Sequence, residues 1–316
     1  MSRYLVRRFL IILPVLIGIT FINYGIINLA PGDPVDLMID PNMSQADKEV
    51  RREALGLRDP FLIRYARWMG ELLRGNLGYS FTTFEPVTVR VGRRVGPTLI
   101  LMGTAFVMAY LLAVPLGILS AIRPYSWVDY LTSFMALIGV SLPTFFTGLV
   151  FTYVFSLRLG WLPSGGMQSL GGGGGLADLV RHLILPASVL TLTNIGLVLR
   201  LVRSSTLEIL KQDYIRTAWA KGLPERVVVF RHALRNSLLP VITMAGVQLP
   251  ALIAGSVITE QVFQWPGMGW LTVQAILSRD YPTLMALNLL AAIMVLGGTL
   301  AADLMYAVID PRIRYD

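Results

Sequence analysis

Six strongly apolar stretches of the chain carry no charged side chain, and their lengths decide what the hydrophobic pattern predicts. They run from Phe9 to Ala30, Val95 to Ile122, Tyr130 to Leu157, Leu183 to Leu199, Asn236 to Thr259 and Tyr281 to Ala302. A helix needs about 20 apolar residues to cross the hydrocarbon of a bilayer. The pattern therefore predicts an all-α integral membrane protein with six transmembrane helices. The fourth run is short, and Arg200 and Arg203 at its end can extend their heads to the interface. The first run is too long for the apolar core of a signal peptide, and Ala30 leads into Pro-Gly-Asp-Pro rather than a small-residue cleavage site, so a retained span is expected. Pro14, Pro115, Pro143, Pro186 and Pro250 fall inside these runs, where neighbouring helices can satisfy the freed carbonyls.

The segments between the runs have patterns of their own. In SQADKEVRREALG, Ser44 with Asp47 three residues on is a variant capping box, and Gly56 closes the predicted helix. Asp59-Pro60 opens a second helix that puts Leu62, Tyr65, Met69 and Leu72 on one face and ends at Gly75. The pair reads as a helical hairpin over the membrane surface, either a lid on helix ends or a docking element. Gly171 to Gly175 reads as a flexible linker. The stretch DYIRTAWAKGLPERVVVFRHALRNSLLP, from Asp213 to Pro240, is charged and alanine-rich between apolar flanks. Leu207, Leu210, Tyr214 and Ala218 repeat with helical spacing, which predicts one helix continuing the fourth span to a C′ glycine at Gly222. Pro224 and Glu225 suit the first turn of a second helix reaching about Asn236, with Val227, Phe230, Ala233 and Leu234 apolar. Two short helices at a sharp turn form either a protruding knob or a plain connector.

Charge orients the chain. Only 15% of residues are charged and 54% are hydrophobic, where soluble domains carry about 25% charged residues. With the amino terminus inside, fourteen basic residues fall on the inner side and three, Arg158, Arg181 and Arg279, in the short outer loops. That asymmetry predicts both termini in the cytosol. The other ten lie in the long outer segment 31–97, where the rule does not apply. The net charge of +8 is thus a topology signal rather than a nucleic-acid footprint. There is no cysteine, and His182 and His232 are fifty residues apart, so a metal site is not expected. A phosphate-binding loop requires Gly-Lys followed by Ser or Thr, and the chain has no Gly-Lys pair. Any energy from nucleotide hydrolysis must come from another subunit. Glu260 and Asp303 sit toward span ends, which gives little support for a proton path. Polar Ser141, Thr144, Thr147, Asn194 and Gln248 either line a pathway or bond between helices.

The Asp213–Pro240 stretch resembles the EAA loop of permeases of binding-protein-dependent ABC transporters. Arg216-Thr217-Ala218 stands in place of Glu-Ala-Ala, with Gly222 at the family's offset, although the family's Leu-Pro comes only at Leu239-Pro240. DYIRTAWAKGL followed by RHALRNSLLP is similar to the oligopeptide, dipeptide and nickel branch. APGDP, PTL, GWLPSGG, EQVFQWPGMG, RDYP and DLMYAVIDPRIRY extend the resemblance over nearly the whole chain. It implies a type I ABC importer permease fold with six helices and cytoplasmic termini. Residues 1–93 would form the first span and the outer segment, 94–309 a five-helix permease core with a coupling loop at 204–235, and 310–316 a cytoplasmic tail. It also implies a second homologous permease, two cytosolic ATPases that bind the ATP, and an extracytoplasmic substrate-binding protein, in a bacterial or archaeal cytoplasmic membrane. The chain itself would be non-catalytic and hold no cofactor. Coupling would fall to Arg216, Thr217, Ala218, Gly222, Leu223, Pro224, Glu225, Arg226, Phe230 and His232. Peptides are the expected cargo, with nickel chelates, glutathione or glycans as alternatives within the class. A stand-alone secondary transporter or channel is the alternative from another class. An intramembrane enzyme would need paired inward aspartates, a Ser-His pair or an H-E-x-x-H helix, and none is present.

Overall fold

The computed structural model describes residues 2–29, 44–54, 58–169, 171 and 174–309. The expectations for Ala-Pro-Gly-Asp-Pro, Gly56, Gly172, Gly173 and the 310–316 tail lie outside the described residues, as do the side chains of Asp47 and Asp303. The chain is helical, and no strand occurs among the described residues beyond one isolated bridge between Tyr79 and Pro86. The helices are α1 (Ser2–Leu29), α2 (Gln45–Ala54), α3 (Phe61–Leu73), α4 (Val87–Ile122), α5 (Trp127–Ser141), α6 (Thr144–Phe151) and α7 (Leu176–Leu210). They continue as α8 (Asp213–Ala220), α9 (Glu225–Val227), α10 (Leu234–Ser237), α11 (Leu239–Ala254), α12 (Val257–Val262), α13 (Met268–Leu277) and α14 (Tyr281–Ile309). Wide π-helical turns follow α6 at Thr152–Arg158 and α9 at Val228–Ala233.

Within α1, α4, α7 and α14 lie four segments long and apolar enough to cross a bilayer, and α5 with α6 and its π turn makes a fifth if the bent pair is one span. The bend is 107° and sits at Leu142-Pro143. Its cause is local: a proline disfavours helical geometry in the residue before it, and Leu142 is extended at φ −84°, ψ 128°. The charge-free run from Asn236 to Thr259 is divided as well. α11 stops at Gly255, whose φ of 76° belongs to the left-handed region, and Ser256 then caps α12 by accepting from the Thr259 N–H. Long apolar side chains such as Leu10, Leu13, Val107 and Leu111 stand exposed along the rods. In water such surface would be an association hazard; against lipid tails it is the matching solvent.

Lipid is as apolar as leucine, so close packing rather than the hydrophobic effect holds such rods together. The central seam is α4 against α7. Ala113, Ile195, Val198, Leu199 and Val202 fill its knob end, and Leu101, Ala105, Leu190 and Trp265 its opposite end. Small residues set the α5–α7 crossing: a Cβ at Gly196 would stand 2.6 Å from the Ala136 carbonyl oxygen, and one at Gly139 would strike that of Leu192. Gly196→Leu should therefore lower stability by about 1–3 kcal/mol. Gly103→Leu, on a face of α4 with open space, should change it little. The thermal unfolding midpoint of the detergent-solubilised chain measures both.

Most of the expected face of α3 turns inward, since Tyr65, Met69 and Leu72 are half-buried and only Leu62 departs from it. Leu62 is 66% exposed, whereas Phe61, Tyr65 and Trp68 pack on Phe21 and Tyr24 of α1 at ring-centroid distances of 5.2–5.6 Å. The aromatic partners on α1 widen that face to include Phe61 and Trp68.

Candidate functional site

The charged interruption folds as a knob at one end of α7. The expected continuous helix from the fourth span to Gly222 is broken: α7 ends at Leu210, and Gln212, extended at ψ 148°, starts α8 afresh. Gly222 then takes φ 75°, and its N–H donates to the Trp219 carbonyl at 2.9 Å, a left-handed stop that glycine adopts without a Cβ penalty. Pro224, at φ −65°, precedes α9. Ile215, Ala218, Val228 and Ala233 form a small core, with Leu210 and Leu223 packed against it. Of the expected line, Ala218 is buried in that core and Leu210 packs against it, while Tyr214 is half exposed and Ile215 takes its inward place. The π turn produces the same slip in the second arm, where Val228 and Val229 turn inward and Phe230 outward. Ser205 Oγ donates to the Ser237 carbonyl at 2.8 Å, which ties the second arm to α7, and Asn236 Nδ2 donates to Tyr214 Oη at 2.9 Å, which ties the arms to each other.

Of the residues expected to couple, Arg216, Thr217, Gly222, Pro224, Glu225, Arg226 and Phe230 lie on the exposed surface. Leu223 and His232 are half-buried, and Ala218 is enclosed in the knob's own core. Arg216 is 76% exposed and Phe230 64%. Arg226, Arg231 and Arg235 are exposed as well, as are aromatic Phe230 and Trp219, while Arg216 is paired with exposed Asp213 at 3.7 Å.

Where α4 turns into α5, at the same end of the bundle, an ion pair ties the turn to α7. Asp129 accepts from Arg203 Nε at 2.7 Å and Nη2 at 2.9 Å, from the Ser120 hydroxyl, and from the Tyr125 N–H at 2.9 Å. Two-pronged pairing of this kind fixes orientation as well as proximity. The sequence reading missed it, because Asp129 sits just before a charge-free run and looked like a flank.

At the opposite end, motifs far apart in sequence converge. Glu260 is fully buried; Oε1 accepts from Thr98 Oγ1 at 2.9 Å and Oε2 from the Trp270 N–H at 3.0 Å. Thr98 Oγ1 in turn accepts from the Met268 N–H at 2.8 Å, and Trp265 Nε1 donates to the Pro97 carbonyl at 2.8 Å. Gly267 has no room for a side chain, since a Cβ there would collide with Glu260 and Thr98. Pro97-Thr98-Leu99 and Glu260 to Gly269 are thus one clasp, with the carboxylate held on the first turn of α13, where negative charge is favoured. The Gly-Trp-Leu-Pro-Ser-Gly-Gly loop joins it through the Gly166 N–H, which donates to the Phe263 carbonyl at 2.8 Å. Beside it, buried Asp280 accepts from Ser80, the Phe81 N–H, Thr283 and Arg90. A carboxylate bounding an apolar run was the available signal for both, but its partners are about 160 to 200 residues away.

The polar residues considered for a pathway are dispersed. Asn194 Nδ2 donates to the Leu190 carbonyl of its own helix at 2.8 Å, and Gln248 accepts from Tyr110 Oη at 3.0 Å. Thr147 is buried and donates to the Pro143 carbonyl at 3.3 Å. Ser141 is exposed and Thr144 half-buried at the α5–α6 elbow.

Long apolar rods with a protruding helical knob, among the described residues, define a membrane-spanning helical bundle with a surface free for a partner. Comparison with known proteins makes the class definite. Residues 113–315 match the family described as binding-protein-dependent transport system inner membrane component, and residues 1–102 match its N-terminal companion. The chain belongs to this family of ABC transporter permeases. It is 45% identical, over the full length of both chains, to the oligopeptide transport system permease protein AppB of Bacillus subtilis. It is 37% identical to the dipeptide transport system permease protein DppB of Alkalihalophilus pseudofirmus and 36% to the glutathione transport system permease protein GsiC of Salmonella paratyphi A, again over all of each chain. In fold it is similar to a chain of the inward-facing MetNI methionine ABC transporter, with a TM-score of 0.57 at 20% identity, covering 72% of this chain and 99% of that one.

Proposed function

We propose that the chain is one of two permease subunits in an ATP-driven importer of peptides, and that residues 213–235 seat on a cytosolic ATPase. The observation that carries the coupling role is the knob: two short arms closed around their own core, fixed to the end of a long span, with a basic and aromatic surface left over. A plain connector between α7 and α11 needs neither the internal core nor that surface. The family match supports partnership with ATPases and a substrate-binding protein. The peptide assignment rests on relatives named for oligopeptides and dipeptides, and glutathione, itself a modified tripeptide, is the second substrate reading because one relative is named for it.

In this reading the chain makes six spans, the bent α5–α6 pair being the third and α11 the fifth. Both termini and the knob face the cytosol, and α2, α3 and the clasp face outward. Residues 94–309 form the core, preceded by 1–93 and followed by the 310–316 tail. Absence of cysteine makes the topology directly testable. Single cysteines at Gln168 and Gln212 are expected to be labelled and unlabelled, respectively, by an impermeant maleimide on intact cells; the reverse pattern would invert the proposal. The transport reading is tested by reconstituting the chain with a sister permease, ATPases and a binding protein of the same transporter. ATP-dependent uptake of labelled di-, tri- and oligopeptides into vesicles is expected, and uptake that proceeds without the ATPases would refute it.

A further inference from the structure

We infer that a cavity between α1, α3 and α14 binds the phosphate of a glycerophospholipid headgroup through Arg64. The cavity measures about 270 Å³, and its walls include Tyr24, Trp68, Pro282 and Met285 together with Arg64 and Arg67. Arg64 is the anomaly. Its Nε is buried with no hydrogen-bond partner, and its guanidinium forms no ion pair among the described residues. A buried donor without an acceptor costs about 1–3 kcal/mol, more when it is charged, so the site is incomplete as the chain alone builds it. The other charges in the cavity are already engaged. Arg67 is paired with Asp59 at 2.8 Å, and Glu71 receives Arg74 at 3.1 Å and Asn76 at 2.9 Å. One positive charge is left over, on the wall of the cleft.

The position of the cleft selects the anion. Its walls belong to the last turns of the apolar segment of α1, which runs Leu10–Leu29, and to the first turn of α14, whose apolar segment begins at Tyr281. That is where two spans leave the hydrocarbon, the level of lipid phosphates. Phe21, Tyr24, Phe61, Tyr65 and Trp68 form one cluster there, with Tyr24 and Trp68 5.6 Å apart, an interfacial aromatic anchor of the usual kind. Leu62, Ile63 and Leu73 of α3 are exposed beside it and give acyl chains an apolar flank. Guanidinium matches phosphate oxygens with paired donors. A diester phosphate with two tails fits the combination of one free guanidinium, an aromatic wall and an apolar rim. The site does not depend on the transport reading; only its assignment to the outer leaflet does.

The test is native mass spectrometry of the full-length chain released from detergent micelles containing phosphatidylglycerol. The chain is expected to keep one phospholipid under activation that strips the rest, and Arg64→Gln to retain it about tenfold less, the loss of one charge-assisted contact. Arg58→Gln, which removes a surface pair with Glu49, should retain it fully. Diacylglycerol, which lacks the phosphate, should not be held, and millimolar inorganic phosphate should not displace the lipid. Helix content by circular dichroism separates lost lipid from lost fold. If Arg64→Gln does not fold, Arg64→Lys carries the comparison, with retention expected between the other two because lysine has no equivalent of Nε. Equal retention by the original chain and the folded Arg64 variant, or equal holding of diacylglycerol, would overturn the inference. Displacement by inorganic phosphate would overturn the lipid source and leave a site for a free anion.

Discussion

Glu260→Ala should destabilise the bundle by about 3–5 kcal/mol, because it strips two buried donors of their acceptor at about 1–3 kcal/mol each and leaves a void besides. Both carboxylate oxygens accept hydrogen bonds, from Thr98 and from the Trp270 N–H. Alanine would leave the Trp270 N–H without its acceptor and Thr98 Oγ1 without the group that receives its proton. The space beside Gly267 and Gly255, which hold the carboxylate closely, would open as a void. Glu260→Gln keeps the volume but replaces one acceptor by a donor, so a loss of about 1–3 kcal/mol is expected. The unfolding midpoint and the yield of correctly inserted chain measure both. An unchanged midpoint in the alanine variant would mean that the clasp does not hold α4 to α13.

The second large effect is functional. Gly222→Val should cut ATP-dependent uptake and substrate-stimulated ATP hydrolysis by about tenfold or more while the chain still inserts. Space is not the obstacle, because a Cβ at Gly222 would meet nothing within 4 Å. Conformation is the obstacle: φ is 75°, and left-handed geometry costs an ordinary residue about 1–2 kcal/mol and a β-branched one more. Relief of that strain redirects Pro224 and α9, and so displaces Arg226 and Phe230 relative to Arg216. Gly222→Asn, a residue that tolerates this region, should retain most of the activity. Full coupling in the valine variant would show that the angle between the arms does not matter to the ATPase.

The spans were legible because lipid exposure requires long charge-free runs, and α1, α4, α7 and α14 follow those runs closely. Breaks inside the runs were less legible. Pro143 was expected as a kink and is instead a 107° elbow, while Pro14, Pro115, Pro186 and Pro250 lie within helices. The restriction on the preceding residue is the same at each, so residue type alone does not say which proline breaks its helix. The knob was legible as two amphipathic arms about Gly222, and its inward faces in part: Ala218 and Ala233 are in the core as expected, whereas Ile215 and Val228 were not foreseen there. A break at Gln212 and a π turn at Val228–Ala233 each shift the register, and neither leaves a sequence mark as plain as glycine or proline. The clasp's residues were visible as motifs and invisible as a contact, since Thr98 and Glu260 are 162 positions apart.

Pro186 lies near the clasp end of α7, where the helix lacks a backbone donor, and the knob hangs from the other end at Leu210. The twenty-five residues between them make a rod of about 37 Å. Pivoted at the proline through about 5°, such a rod carries its far end sideways by about 3 Å, close to the width of one methylene layer. A push at the knob of no more than an atom's diameter is therefore geared down to a slight rotation beside the clasp, and any slackening there is geared up on the way back.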